Sequence, residues 1–208
     1  MSTFEEQVVK SYYNLKGYFT IENIPFRASK KTKGGKGRGE IDLIAIKINK
    51  NNGRVEEAIH IEVSASITEG FPFKSNEQKS DDVEKIINKF FTSGVDNKLK
   101  EFYDGNYEYH FITGFFKKDV KSKLEEILKY KCKHHNCKYK ILDSNEESIS
   151  VEISYNGKTK KIIIIPFVVI IDELLKMMKN RTEYFLVPTL RAFQWINKVE
   201  KRKNKKFI

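Results

Sequence analysis

Along the N-terminal segment, apolar residues recur at helical intervals. Phe4, Val8, Tyr12 and Leu15 fall on one side of a repeat of about 3.6 residues. Ser2 and Thr3 stand before them as capping residues and Gly17 after, so the spacing predicts an amphipathic helix over 3–16. The period then shortens to two. Tyr18 to Ile24 reads as a strand stopped by Pro25, and Glu40 to Ile48 as a strand apolar on both faces, as in a covered sheet. Asn51-Asn52-Gly53 supplies a turn, after which Ile59, Ile61, Val63 and Ala65 alternate with His60, Glu62 and Ser64. Helical spacing returns over 77–92 through Val83, Ile86, Ile87 and Phe90. It returns again from Val120 to Tyr130, with strand-like Tyr107 to Phe116 between the two. Further on, Ser148 to Tyr155 and Lys160 to Ile165 flank Asn156-Gly157, a dipeptide whose left-handed preference suits a hairpin. Val168 to Lys179 and Thr189 to Lys203 read as helices, the second entered through Pro188.

This order predicts an α/β (α+β) fold with a mixed central sheet flanked by helices. A chain of 208 residues suits one domain, or one domain with an appendage. The change of texture near residue 130 suggests a core over 1–130 and a hairpin-plus-helices extension over 131–208, packed on the core.

Composition adds a partner. Hydrophobic residues make up 39% of the chain, enough for a core, which excludes wholesale disorder. The net charge of +11 makes the folded chain repel itself, and a polyanion, nucleic acid first, would relieve that. Membrane association is not expected. The longest apolar run, Ile162 to Ile171, is broken by Pro166 and falls short of the roughly 20 residues a span needs. With no basic-then-apolar leader and two cysteines only, the expected setting is a reducing cytoplasm. Cys132, His134, His135 and Cys137 crowd too tightly, without a distant partner pair, for a structural zinc site. Phe193, Trp195 and Ile196 read as core or dimer contacts.

Arg27, Lys30, Lys31, Lys33, Lys36 and Arg38 interleave with Gly34, Gly35, Gly37 and Gly39. Such a stretch is a flexible loop whose amides and long cations can follow a phosphate backbone, the alternative being a solvated surface loop. The basic tail Lys201 to Lys206 offers the same two readings.

The chemistry concentrates in Glu40-Ile41-Asp42-Leu43-Ile44 and His60-Ile61-Glu62-Val63-Ser64. A lone carboxylate inside an apolar strand is driven neutral, and two on adjoining strands repel unless something cationic lies between them. A divalent metal is one solution, and oxygen ligands suit Mg²⁺ or Mn²⁺. Pairing with lysines is the plainer one. Period-two geometry puts Glu62 and Ser64 on one face, with Asp42 at the same edge if the strands pair.

In this order and spacing the residues resemble the PD-(D/E)xK nuclease superfamily, which includes restriction endonucleases and archaeal Holliday junction resolvases. The resemblance covers roughly residues 3–116 and implies a restriction-endonuclease-like fold. It implies a metal-dependent endonuclease that hydrolyses DNA phosphodiesters, with a homodimer as the usual state of relatives. Glu6, ahead of Gly17-Tyr18, matches the family's helix glutamate, Asp42 its strand aspartate and Glu62 the first member of its acid-x-Lys triplet. These three are the implied metal ligands. Ser64 stands where the family has lysine, so another group takes that place, Lys74, Gln78 and Lys79 being the downstream choices, or the enzyme depends on metal alone and is slow. The alternatives are a nucleic-acid-binding module that has lost cleavage, or a protein-interaction subunit of a phage or defence assembly.

Overall fold

The computed structural model describes residues 3–27, 38–68, 70–73, 82–135, 137–179, 188 and 190–196. Helix α1 (Phe4–Leu15) starts where Thr3 closes a capping box with Glu6: the Thr3 hydroxyl accepts from Glu6 N, and Thr3 N donates to Glu6 Oε2. The next three elements, β1 (Phe19–Arg27), β2 (Arg38–Ile48) and β3 (Val55–Ser64), form an antiparallel meander. Pro25 does not end β1. It pairs opposite Glu40 within the strand, which is tolerable because β1 lies at the sheet edge and needs donors on one side only.

After β3 the chain crosses over through α2 (Asp82–Phe91) and α3 (Val95–Lys100) to β4 (Glu108–Thr113), which runs parallel to β3. Helix α4 (Val120–His135) leads to β5 (Lys138–Ser144), β6 (Ile149–Tyr155) and β7 (Lys158–Pro166), and α5 (Phe167–Met178) follows. The predicted hairpin forms at Asn156-Gly157, both residues at positive φ. Its strand β7 pairs parallel with β4, giving one seven-stranded sheet in the order β1-β2-β3-β4-β7-β6-β5. The expected division at 130/131 therefore runs across a single continuous sheet.

Two layers cover it. On one face α1, α5 and the helical residues 190–196 bury Val8, Tyr12, Ile170, Leu174 and Phe193 against Leu43, Ile59 and Ile61. On the other, α2 and α4 bury Ile86, Phe90, Leu124 and Leu128 against Phe111, Val151 and Ile162, while Val95 and Leu99 of α3 cover Ile44. The structure is thus the expected mixed α/β sheet flanked by helices. Helix α4 outruns its predicted end at Tyr130 because Cys132 continues the buried stripe of Leu124 and Leu128, and Cys132 is joined to Cys137 by a disulfide, which leaves neither thiol for zinc. Among the described residues no helix is long and apolar enough to cross a membrane.

Candidate metal and phosphate site

Leu43 pairs with Ile61 at the last regular step of the β2–β3 ladder, so Asp42 and Glu62 would be the next cross-strand partners. The ladder stops there because Asp42 turns a carboxylate oxygen on the neighbouring backbone: Val63 N donates to Asp42 Oδ2 at 2.8 Å. Directly opposed carboxylates destabilise a sheet. Here both acids are buried, Asp42 at 8% and Glu62 at 1% exposure, so water screens little of the repulsion.

The counter-charge comes from α2. Lys89 Nζ lies 2.8 Å from Asp42 Oδ1 and 2.7 Å from Glu62 Oε2, a single ammonium between two carboxylates. Its approach to Glu62 is close enough for an ion pair but off the hydrogen-bond direction, so Oε2 receives no directed donor. The other Glu62 oxygen is held from beneath, with Oε1 2.6 Å from His60 Nε2. Lys85, one turn before Lys89, donates to Ser64 Oγ at 3.2 Å and pairs with Asp82.

Electrostatics follow from this enclosure. Burial, then the neighbouring Glu62, pushes the Asp42 carboxyl up to about 6, against the pull of Lys89. Burial raises Glu62 as well, again opposed by Lys89. For Lys89 burial acts downward, but the two acids outweigh it and hold the ammonium above the ordinary lysine value. His60 is driven down to about 3 by burial and by the charge of Lys160, so its ring is neutral.

These residues line a cavity of about 470 Å³ walled by Phe26, Gly39, Glu40, Asp42, Glu62, Val63, Ser64, Lys85, Asn88, Lys89, Thr92 and Phe111. Gly39 gives the Phe26 ring its room: a Cβ there would come within 2.2 Å of the ring, which would have to shift. Asp42, Glu62 and Ser64 are therefore brought together as the sequence led one to expect. Glu6 is not. Its carboxylate is spent on the α1 capping box, and it does not line the cavity. Arg27 closes β1 beside Phe26, which lines the cavity. Lys30, Lys31, Lys33 and Lys36, the side chain of Arg38, and the downstream choices Lys74, Gln78 and Lys79 lie outside the described residues, as does the basic tail.

Sequence reasoning missed Lys85 and Lys89. The signal was present: Lys85, Asn88, Lys89 and Thr92 form a polar stripe at helical spacing beside the apolar one, and all four face the cavity.

Among the described residues no three of His, Cys, Asp and Glu gather into a ready-made metal cage. Two carboxylates nevertheless suit Mg²⁺, which usually takes one or two and fills its remaining positions with water and substrate phosphate. The undirected lone pair of Glu62 Oε2 and the outward Asp42 Oδ1 are the donors such an ion would use. No protein-family model, curated protein or solved structure matches the chain.

Proposed function

We propose that the chain is a divalent-metal-dependent nuclease that cleaves DNA phosphodiesters at the β2–β3–α2 cavity. The observation that carries this is the pair of buried carboxylates on adjoining strands, each with one oxygen tied down and the other turned toward the Lys89 ammonium in an open cavity. Asp42 Oδ1 and Glu62 Oε2 would hold Mg²⁺ or Mn²⁺, which supplies charge to polarise a phosphoryl oxygen and to acidify water. Lys89 takes the part that the resemblance gives to the triplet lysine. Reaching the site from a helix rather than from β3, its ammonium can move from the carboxylates to the phosphate and offset charge that grows on it. Ser64 sits at the expected strand position and hydrogen-bonds Lys85, a second cation at the rim. The glycine-rich basic loop and the net charge of +11 supply the phosphate grip, and DNA rather than RNA rests on the family resemblance.

Incubation of the protein with supercoiled plasmid and Mg²⁺ or Mn²⁺ tests this. The expected result is nicking that disappears in Asp42→Ala and Glu62→Ala. Salt-sensitive plasmid binding without nicking under either metal would replace it with a second reading, a nucleic-acid-binding module. In that case Lys89, whose single charge already offsets one of the two carboxylates, would be a permanent counter-ion.

A further inference from the structure

Among the described residues, one buried polar side chain in contact with an acid of the site has no role above. His60 stands on β3 two residues before Glu62 and is fully buried. Its ring is held edge-on against Phe90 at 4.9 Å and Tyr109 at 5.9 Å between centroids. In those surroundings an apolar residue would pack as well, so the imidazole calls for a polar reason. Nε2 lies 2.6 Å from Glu62 Oε1, and Nδ1 meets no hydrogen-bond partner among the described residues.

That asymmetry fixes the tautomer. A carboxylate only accepts, so the nitrogen facing it carries the proton, and Nδ1 is the bare lone pair. The opposite tautomer would set two acceptors face to face and bury an unmet N–H, which folded proteins avoid more strictly than an unmet acceptor. The result matches what Val63 N does for Asp42: one oxygen of each acid is fixed, and the other is presented to the cavity. Without the His60 donor, the undirected Lys89 contact would be left to orient the Glu62 carboxylate before coordination.

We infer that His60 is a positioning residue of the metal site, its Nε2–H locking the Glu62 carboxylate so that Oε2 is the oxygen offered to a divalent cation. This rests on the metal-site reading of Asp42 and Glu62. Hydrogen-bonded partners of ligating groups typically contribute about 10- to 100-fold in metal affinity.

The test compares His60→Gln with His60→Met. The two side chains are similar in length and bulk, and glutamine alone keeps an N–H where Nε2 stood. Mn²⁺ affinity is measured by calorimetry, with thermal melts of the metal-free proteins as control. His60→Met is expected to bind Mn²⁺ about 10- to 100-fold more weakly, and His60→Gln to recover most of the loss. Should the methionine variant fail to fold, His60→Leu takes its place. Parent-like Mn²⁺ affinity in the donor-less variant, or equal loss in both variants, overturns the positioning role while the metal site stands. No Mn²⁺ binding by the unaltered protein overturns the metal site itself, and this inference with it.

Discussion

Replacing Lys89 by methionine should push metal affinity and cleavage in opposite directions. The change keeps the unbranched stem and removes the ammonium between Asp42 and Glu62. Stranding a buried charge by deleting its partner destabilises by about 3–5 kcal/mol. Lys89 is itself 38% exposed, so the lower end, about 3 kcal/mol, is the better figure. For a chain of this length, each kcal/mol moves the melting temperature by roughly 2–4 °C, so a fall of about 6–12 °C is expected without metal at about pH 8, above the Asp42 value of about 6. A divalent cation then neutralises what the lysine no longer does. Mn²⁺ should bind Lys89→Met more tightly than the parent, because no ammonium competes for the same two oxygens. At about 100 times its dissociation constant it should restore roughly 2.7 kcal/mol. Plasmid nicking should meanwhile fall, since the ammonium best placed to offset charge on the phosphate is gone. Thermal melts with and without Mn²⁺, calorimetric titration and a nicking assay read all three quantities. Weaker Mn²⁺ binding by Lys89→Met, or metal-free stability equal to the parent, would refute the argument that ammonium and metal contend for one position.

Other consequences are simpler to check. The Asp42 carboxyl is raised to about 6 in the fold and lies near 3.9 unfolded, so the native state holds the proton more tightly. Through Asp42, metal-free stability should fall as pH rises from about 4 to 6, and Mn²⁺-induced stabilisation should grow through the same interval as the proton stops competing; melts across that range follow both. Ser64→Ala should nick plasmid within about fivefold of the parent, because the hydroxyl makes one hydrogen bond, to Lys85, worth roughly 1 kcal/mol. Gly39→Ala drives a methyl group into the Phe26 ring and should destabilise by about 1–3 kcal/mol while weakening plasmid binding, read by a melt and a mobility shift.

The strands carrying the acids were legible because β2 is apolar on both faces and the apolar residues of β3 alternate, a period that put Glu62 and Ser64 on one face, with Asp42 at the same edge if the strands pair. What the alternation could not give was the helix above them. Lys85 and Lys89 reach the site through the crossover after β3, and nothing local in Asp82–Phe91 says which strand that helix will lie across. Short elements escaped for a related reason. Val95–Lys100 completes under two turns, too few for a period to declare itself, and Lys138–Ser144 carries the charges of a sheet edge instead of an apolar core pattern. Glu6 shows the converse hazard. A glutamate three residues after a threonine is a capping signal as readily as a ligand, and the helix end claimed it.

The seat of β7 beside β4 has a bearing on biosynthesis. Residues 158–166 leave the ribosome long after Asp42, Glu62 and Lys89, yet they occupy the middle of the sheet, and Lys160 reaches back from them to donate to the carbonyl of Phe90, the residue after Lys89. Until that stretch emerges, β4 has an unmated flank and the end of α2 lacks its fastening. A nascent or truncated chain lacking β7 would carry the acidic groups of the cleft without a finished cleft, so any catalytic competence would wait for that strand.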